Sequence, residues 1–346
     1  MTVSAPFTCE NGAVDELILI ACLVTDKKFR KIGGADGRLQ QAASKLASNI
    51  LVKQVQPKHL LDEPGRVTES LLKHLLLDLP KTKKIQLKVV HKFNDFSERE
   101  DCISAMTLLE SWLHSIHDTV YDNVQIQVFD PLPCIRLFYD RILSGRFIQN
   151  FCVSEGFEGK AFWPEFWSPP ELAEGLCFPV IVKPVDACSR EDSHWMTLLR
   201  NPRSQLVQSF SEEYLLQRFY AHFGVFYKIY VVGRSVNVVP RPSVSLETFQ
   251  EESVRFNTAH FKASAADLTE TQLQQAWLRF DRLRPEIDRF SLLLAERLNC
   301  SYFGADIIIP EGQEHQFAVI DINYLPGFDG VDELPRKFID AIMKNF

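Results

Sequence analysis

Strand and helix signals alternate along the first 130 residues, and this alternation restricts the possible folds more than any other feature. ELILIACLV (16–24) is a short continuous apolar run of the kind found in buried strands. KIQLKVVH (84–91) and VQIQVF (124–129) are further strand candidates, and CISAMTLLESWLHSI (102–116) between them has helical spacing. Alternating elements of this kind predict an α/β domain built on an open sheet.

The chain changes character after Pro133. IRLFYDRILSGRFIQNF (135–151) has the spacing of a single helix, and FPVIVKP predicts a short strand ending at Lys183 and Pro184. Three more strand candidates follow: YLLQRFY (214–220), FYKIYVVG (226–233) and SVNVVPRPSV (235–244). We expect these three to be consecutive antiparallel strands, with a tight turn near Gly233 and Arg234.

A long helical segment and a last hairpin complete the pattern. TQLQQAWLRFDRLRPEIDRFSLLLAERLN (271–299) should be helical, with Pro285 breaking or kinking it. FGADIII (303–309) and FAVIDIN (317–323) flank a short polar segment, which predicts a β-hairpin. DELPRKFIDAIMKNF (332–346) predicts a C-terminal helix.

Composition excludes several classes of protein. A length of 346 residues favours two or three domains or lobes. The eight cysteines are scattered without a CxxC pair or zinc spacing, so we expect a reduced, cytoplasmic protein with buried thiols. We expect no signal peptide, because MTVSAPFTCENGAVDE lacks a basic region followed by an apolar core. We expect no membrane span, since no apolar run approaches about 20 residues. A net charge of −7 argues against a nucleic-acid partner but allows a local basic cleft for a small anion.

The last hairpin carries acids inside an apolar strand. If its loop is symmetric, Ile309 pairs with Ala318, and counting back places Asp306 directly opposite Asp321. Opposed acids on one sheet face repel each other, and Asn323 points to that same face. Two carboxylates and an amide oxygen are the ligands that Mg²⁺ prefers, so the pattern favours a metal site. The alternative is a pair of solvated acids on an amphipathic hairpin.

Four cationic or imidazole side chains occupy positions suited to anions. Lys183 ends an apolar strand and could place a point charge on a phosphate, and His194 could donate to the same anion. Lys228 and Arg241 lie in strands of Val, Ile, Tyr and Phe, where a cation needs an anionic partner or an edge position. There are three alternatives. Lys183 could simply keep the end of the strand soluble, and His194 could be an ordinary loop residue. Lys228 and Arg241 could be charges on edge strands that discourage aggregation.

The common nucleotide and hydrolase motifs are absent from the sequence. It contains no GxxxxGK[ST], no GxGxxG, no HRD and DFG pair, and no GxSxG. A P-loop enzyme, a protein kinase and a serine hydrolase of the nucleophile-elbow type are therefore excluded.

Several further motifs follow one another along the chain: DKKFRK, HKFND (91–95), DPLPCIRLFYDR (130–141), FPVIVKP…SHWM, LLQRFYAHFGVFYKIYVVG, VVPRPS, FGADIII and VIDINYLPGFDGV. In this order they resemble the inositol 1,3,4-trisphosphate 5/6-kinase family, also called inositol tetrakisphosphate 1-kinases. The resemblance spans roughly residues 15 to 345. It implies an ATP-grasp fold: an N-terminal open-sheet domain (1–133, substrate side), then a central lobe (134–233) and a C-terminal lobe (234–346, with the metal site) whose antiparallel sheets clamp ATP.

The resemblance also implies roles for individual residues. Lys183, His194 and Lys228 would be catalytic. Nucleotide contacts would come from Arg141, Lys183, Gln217, Lys228, Ser243 and Thr258. Inositol phosphate contacts would come from Lys28, His91, Lys92, His194, Lys228, Arg241, Asn323 and Gly327. Magnesium, as two ions, would be held by Asp306, Asp321 and Asn323.

The implied function is transfer of the ATP γ-phosphoryl group to a hydroxyl of an inositol tris- or tetrakisphosphate by a monomeric enzyme. Two alternatives remain: an ATP-grasp carboxylate–amine ligase, and a non-catalytic inositol-phosphate-binding scaffold. The chain departs from the family pattern in the glycine-free stretch PVDACSREDS (184–193) and in the insertion NPRSQLVQSFSEEY (201–214). That insertion holds Gln208, a rival to Gln217 that the spacing to Lys228 disfavours.

Overall fold

The computed structural model describes residues 16–55, 84–92, 104, 106–111, 124–168, 176–187, 191–201, 210–246, 252–258 and 267–344. The helices are α1 (Asp26–Lys31), α2 (Arg38–Leu46), α3 (Leu132–Leu137), α4 (Arg141–Ser154), α5 (Glu270–Leu298) and α6 (Leu334–Lys344), with a 3₁₀ turn at Glu191–His194. No helix in these ranges is long and apolar enough to cross a membrane.

Fourteen strands are found in the same ranges. They are β1 (Glu16–Leu23), β2 (Ile50–Val55), β3 (Lys84–His91), β4 (Val124–Phe129), β5 (Ala161–Phe162), β6 (Phe166–Trp167), β7 (Val180–Pro184), β8 (Trp195–Leu199), β9 (Tyr214–Arg218), β10 (Val225–Val232), β11 (Ser235–Pro242), β12 (Ser253–Asn257), β13 (Tyr302–Ile308) and β14 (Phe317–Tyr324). The chain forms two compact units, Met1–Leu132 with Gly327–Phe346, and Pro133–Pro326.

The first unit contains a parallel sheet of order β2-β1-β3-β4. The prediction of an open α/β sheet is confirmed, and β3 and β4 have the predicted bounds. β1 is buried along most of its length, as expected for a parallel strand covered on both faces. In the predicted helix at 102–116, residues 104 and 106–111 are described and are helical. The other residues of this segment lie outside the described ranges.

The C-terminal helix α6 belongs to the first unit. Its apolar side chains Phe338 and Ile339 are fully buried, and Lys88 Nζ donates to the carbonyl of Ile342 at 3.4 Å. The sequence-based domain bounds placed this helix in a lobe with residues 234–326, whereas its buried face makes it part of the unit formed by the N-terminal sheet. The split between central and C-terminal lobes remains a prediction.

The second unit contains two five-stranded sheets, in the orders β11-β10-β13-β14-β5 and β12-β8-β7-β9-β6. The hairpin of β10 and β11 and the turn at Gly233 and Arg234 are as predicted. β9, however, pairs with β7 and β6 rather than with β10, so the predicted run of three neighbouring strands is wrong. The connection after β9 contains Phe223 and Gly224 with positive φ, and it carries the chain from one sheet to the other.

Two helix predictions are also corrected. The segment 135–151 is not one helix, because Asp140 adopts an extended conformation and its side chain caps α4 by accepting from the backbone N–H groups of Ile142 and Leu143. Conversely, α5 runs unbroken through Pro285. One face of α5 is buried along its length, and this packing outweighs the lost backbone hydrogen bond at the proline.

Candidate active site

Three charged side chains form a row across adjacent strands of the second unit. Lys228 on β10 faces Asp306 on β13, and Asp306 faces Asp321 on β14. Lys228 Nζ donates to both carboxylate oxygens of Asp306, at 2.8 and 2.9 Å. The predicted pairing of the two acids is therefore confirmed, and Lys228 has the anionic partner that the sequence required.

The register that opposes the two acids depends on a β-bulge. At the loop end of the hairpin Ile308, not Ile309, faces Ala318, so the symmetric-loop prediction is wrong by one residue there. The register shifts between Ile307 and Asp306, where Ile320 is the extra residue of β14. This bulge restores the predicted pair of acids.

The bulge leaves the carbonyl of Ile320 available to a lysine from the other sheet. Lys183 Nζ, at the end of β7, donates to that carbonyl at 2.9 Å. Lys183 is 3% exposed, and burial lowers its pKa to about 8, with Asp321 opposing the shift and Arg141 adding to it. The site therefore lies where the two sheets of the second unit approach each other.

Arg141, the first residue of α4, is hydrogen-bonded to the backbone at the end of β7 and beyond it. Its NH1 donates to the carbonyls of Pro184 and Asp186 at 2.7 and 3.2 Å. Its NH2 donates to the backbone carbonyl of Ser193 at 3.5 Å. Its Nε lies 3.5 Å from Asp321 Oδ1. Arg141 thus holds both ends of the 184–193 segment close to the acid pair, and its predicted nucleotide contact remains a prediction.

The two adjacent acids and the cations around them shift one another's pKa values in a partly buried cluster. Burial raises the pKa of Asp306, Lys228 opposes this shift, and the like charge of Asp321 adds to it. Burial alone would lower the pKa of Lys228, but the combined effect of Asp306, Tyr230 and Asp321 raises it.

The acid pair fits a divalent cation. Asn323 Nδ2 donates to Asp321 Oδ2 at 3.2 Å, so the amide lies beside the carboxylate on the predicted face. Within the described ranges, no group of three or more His, Cys, Asp and Glu side chains is placed to hold a metal. Two carboxylates and an amide suit Mg²⁺ because this ion commonly takes its other ligands from water and substrate phosphates.

Gln217 carries a buried side-chain amide on a strand of the second unit. It lies on β9 between Ile181 of β7 and Phe166 of β6, and it is 1% exposed. Nε2 has no hydrogen-bond partner among the described residues. An unsatisfied buried donor is costly, which favours a ligand acceptor here. Gln208 lies outside the described ranges.

The other predicted site residues of the second unit lie in two hydrogen-bonded pairs and on an edge strand. Thr258 Oγ1 donates to the carbonyl of His194 at 3.2 Å, and the His194 side chain is exposed. Ser243 Oγ lies 2.7 Å from Nε2 of His222, a histidine that no sequence motif identifies as a site residue. Arg241 lies on the edge strand β11, opposite Phe226.

The remaining candidates lie in the first unit. His91 ends β3, Lys92 follows it, and Lys28 lies on α1 just after the neighbouring strand β1; all three are buried. The carboxyl edge of a parallel sheet is a common ligand site. Burial lowers the pKa of His91 to about 4, so the ring is neutral at pH 7.

Gly327, also in the first unit, has a local structural reason for being glycine. A Cβ there would lie 2.8 Å from Lys31 Nζ and 2.7 Å from Asp329 Oδ2. Those two groups form an ion pair at 3.2 Å, so the glycine leaves room for them. Its contact with a substrate remains a prediction.

The fold defines this chain as an ATP-grasp protein. It is similar to the ATP-grasp ligase PsnB, solved with its minimal precursor, with a TM-score of 0.50 and 12% identity over 96% of this chain and all of that one. The macrocyclase MdnC of Microcystis aeruginosa matches with a TM-score of 0.52 and 11% identity over 94% of this chain and 99% of that one.

The sequence comparisons place the chain within this class. Residues 167–344 match the model of the inositol 1,3,4-trisphosphate 5/6-kinase ATP-grasp domain. Inositol-tetrakisphosphate 1-kinase 3 of Arabidopsis thaliana is 31% identical over 80% of this chain and 81% of its own length. The chain therefore belongs to the inositol 1,3,4-trisphosphate 5/6-kinase family. It is also 31% identical to inositol-tetrakisphosphate 1-kinase of Xenopus laevis over 73% of this chain, and it covers 66% of that protein.

Proposed function

We propose that this chain is an ATP-dependent kinase that phosphorylates a hydroxyl of an inositol tris- or tetrakisphosphate. The observation that carries the proposal is the row of Lys228, Asp306 and Asp321 beside Lys183. Phosphoryl transfer needs positioned cations around the phosphates more than covalent chemistry from the protein. The family membership and the matching relatives supply the substrate class.

The second-unit residues have separate roles in this proposal. Lys183 makes one hydrogen bond within the described ranges, which leaves donors of its ammonium group for the ATP phosphates. Lys228 and Arg241 pair with phosphates of the inositol substrate, and His194 orients the accepting hydroxyl. Asp306, Asp321 and Asn323 hold Mg²⁺, which when bound neutralises charge on the transferred phosphoryl group.

The first unit supplies further contacts in this proposal. Lys28, His91, Lys92 and Gly327 bind the inositol phosphate from the first unit; the position of the first three at the carboxyl edge of the sheet supports this role. Two magnesium ions, a monomeric state and a cytoplasmic location complete the proposal. Four of the five described cysteines are buried, which is in keeping with a reducing compartment.

The test is turnover by the Asp321→Asn variant. The protein is incubated with Mg-ATP and a panel of inositol tris- and tetrakisphosphates, and the product isomers are resolved by chromatography. We expect Asp321→Asn to reduce kcat about 100-fold or more, because the neutral amide lacks the negative charge that would hold Mg²⁺ beside the transferred phosphoryl group. Asp281→Asn, an exposed change on α5, should leave kcat unchanged. Wild-type kinetics in Asp321→Asn would refute the metal assignment.

A carboxylate–amine ligase is the second candidate, because the similar solved structures include an ATP-grasp ligase and a macrocyclase. ADP release with carboxylate and amine pairs, but not with inositol phosphates, would establish it. Tight binding of inositol phosphates without turnover would instead indicate a scaffold.

A further inference from the structure

His222 is a buried histidine that makes hydrogen bonds with both ring nitrogens. It lies in the connection between β9 and β10 and is 5% exposed. Nδ1 lies 2.6 Å from the carbonyl oxygen of Tyr220, and Nε2 lies 2.7 Å from Ser243 Oγ. In the sequence His222 lies between Gln217 and Lys228, where a single histidine in a loop forms no distinctive pattern.

The partners of His222 determine where the protons are. A carbonyl oxygen can only accept, so Nδ1 carries the hydrogen and donates to Tyr220. Burial lowers the pKa of His222, while the Tyr220 carbonyl and Glu311 act in the opposite direction, and the ring is neutral at pH 7. Nε2 of a neutral ring with a protonated Nδ1 can only accept. Ser243 Oγ therefore donates its hydrogen to His222.

The surrounding backbone holds this arrangement in place. Phe223 and Gly224 both have positive φ, and the N–H of Phe223 donates to Glu311 Oε1 at 2.7 Å. The N–H of Ser243 donates to the carbonyl of Gly224 at 2.7 Å, which ties the end of β11 to the same turn. The ring of Phe219 packs against His222 with centroids 5.4 Å apart. The histidine and the serine are thus fixed relative to each other by backbone as well as side-chain contacts.

We propose that His222 is a positioning residue that fixes the Ser243 hydroxyl as a hydrogen-bond acceptor for a donor group of the bound nucleotide. The inference rests on the proposed function and on the nucleotide contact that the family resemblance implies for Ser243. A free serine hydroxyl rotates and can donate or accept. When the serine hydrogen is donated to His222, the hydroxyl can offer a ligand only the lone pairs of its oxygen. The matching ligand chemistry is a hydrogen-bond donor, which ATP carries as ribose hydroxyls and as the adenine amino group.

The test compares nucleotide binding rather than turnover. Isothermal titration without the inositol substrate gives Kd for ATP, 2′-deoxy-ATP, 3′-deoxy-ATP and purine riboside triphosphate, which lacks the amino group. We expect the wild-type protein to bind one analogue about three- to tenfold more weakly than ATP, the effect of one net hydrogen bond. The analogue that loses affinity identifies the donor.

The variants separate positioning from a merely structural role. Ser243→Ala and His222→Leu should each abolish the preference for ATP over that analogue, and the double variant should show no further loss. His222→Gln should retain the preference, because a glutamine carbonyl can accept the serine hydrogen in place of Nε2. The ratio of two Kd values on one variant is insensitive to a general loss of stability, which thermal unfolding measures separately.

Three outcomes would overturn the inference. One is a wild-type protein that binds ATP and all three analogues equally well. Another is a His222→Leu variant that keeps the preference while Ser243→Ala loses it, since the hydroxyl would then act without the histidine. A wild-type protein that does not bind ATP would refute the proposed function itself, and the inference with it.

Discussion

At the scale of single residues, burial determines what the charged groups of this protein can do. Lys228 lies at hydrogen-bonding distance from Asp306 and neutralises its charge. Without Lys228, Asp306 would lose this partner and would still face the acid Asp321. Removing one partner of such a buried pair leaves an uncompensated charge and is costly. Burial also determines the charge of His91, because it lowers the pKa of this side chain and keeps the ring neutral at pH 7.

The neutral state of His91 predicts a pH dependence of stability. Its pKa is lowered to about 4 in the folded chain, against an ordinary value near 6.5. The unfolded chain therefore binds an extra proton below about pH 6.5, and the free energy of unfolding falls as the pH drops toward 4. The loss approaches about 3 kcal/mol, at 1.36 kcal/mol per pKa unit. Urea unfolding at pH 7, 6, 5 and 4 measures it.

His91→Gln is the control for that experiment, because glutamine does not titrate. Its difference in unfolding free energy from the wild type should shrink as the pH falls from 7 to 4. A constant difference across this range would show that His91 is not held neutral by the fold.

At the scale of elements, the hairpin of β13 and β14 shows how a correct pairing can follow from an incorrect loop. Counting from a symmetric loop opposed Asp306 to Asp321, and the structure agrees, but only because the bulge at Ile320 compensates a one-residue error at the loop. Without the bulge, Asp306 would face Ile320 and the two acids would lie on opposite faces. Nothing in the local sequence distinguishes Ile320 from its apolar neighbours.

The long helix α5 allows a test of a single element. Thr269 accepts from the backbone of Gln272, whose side chain accepts from the backbone of Thr269, so the helix begins with a reciprocal capping box. Thr269→Ala should lower the free energy of unfolding by about 1 kcal/mol, since it leaves a helix donor without its partner. Thr269→Ser should cost much less. Equal effects of the two changes in denaturant unfolding would contradict the capping role.

At the scale of the whole molecule, the first unit is assembled from the two ends of the chain. α6 follows β14 in sequence, yet its apolar face and the bond from Lys88 make it part of the unit that contains the parallel sheet. The N-terminal sheet therefore depends on residues more than 200 positions away for part of its covering.

Phe338→Ala tests this dependence. Phe338 is fully buried, and its truncation should lower the stability of the first unit by about 3–5 kcal/mol. Hydrogen exchange should show protection lost in β1 and β3 and retained in β10 and β13. Arg336→Ala, on the exposed side of the same helix, should change neither set of strands. Equal loss of protection in both units would show that α6 does not stabilise the first unit separately.

The amino-acid sequence by itself determined many of the strands and indicated the chemistry of one site. Continuous or alternating apolar runs identified β1, β3 and β4, and the acids within FAVIDIN and FGADIII indicated an oxygen-ligand site, because periodicity and buried charge are local properties that a sequence displays directly. The tertiary structure decided the sheet of β9, the unit of α6, the bulge at Ile320 and the partner of His222. Each of these depends on which distant segments pack together, and packing is a sum over contacts that no local pattern contains.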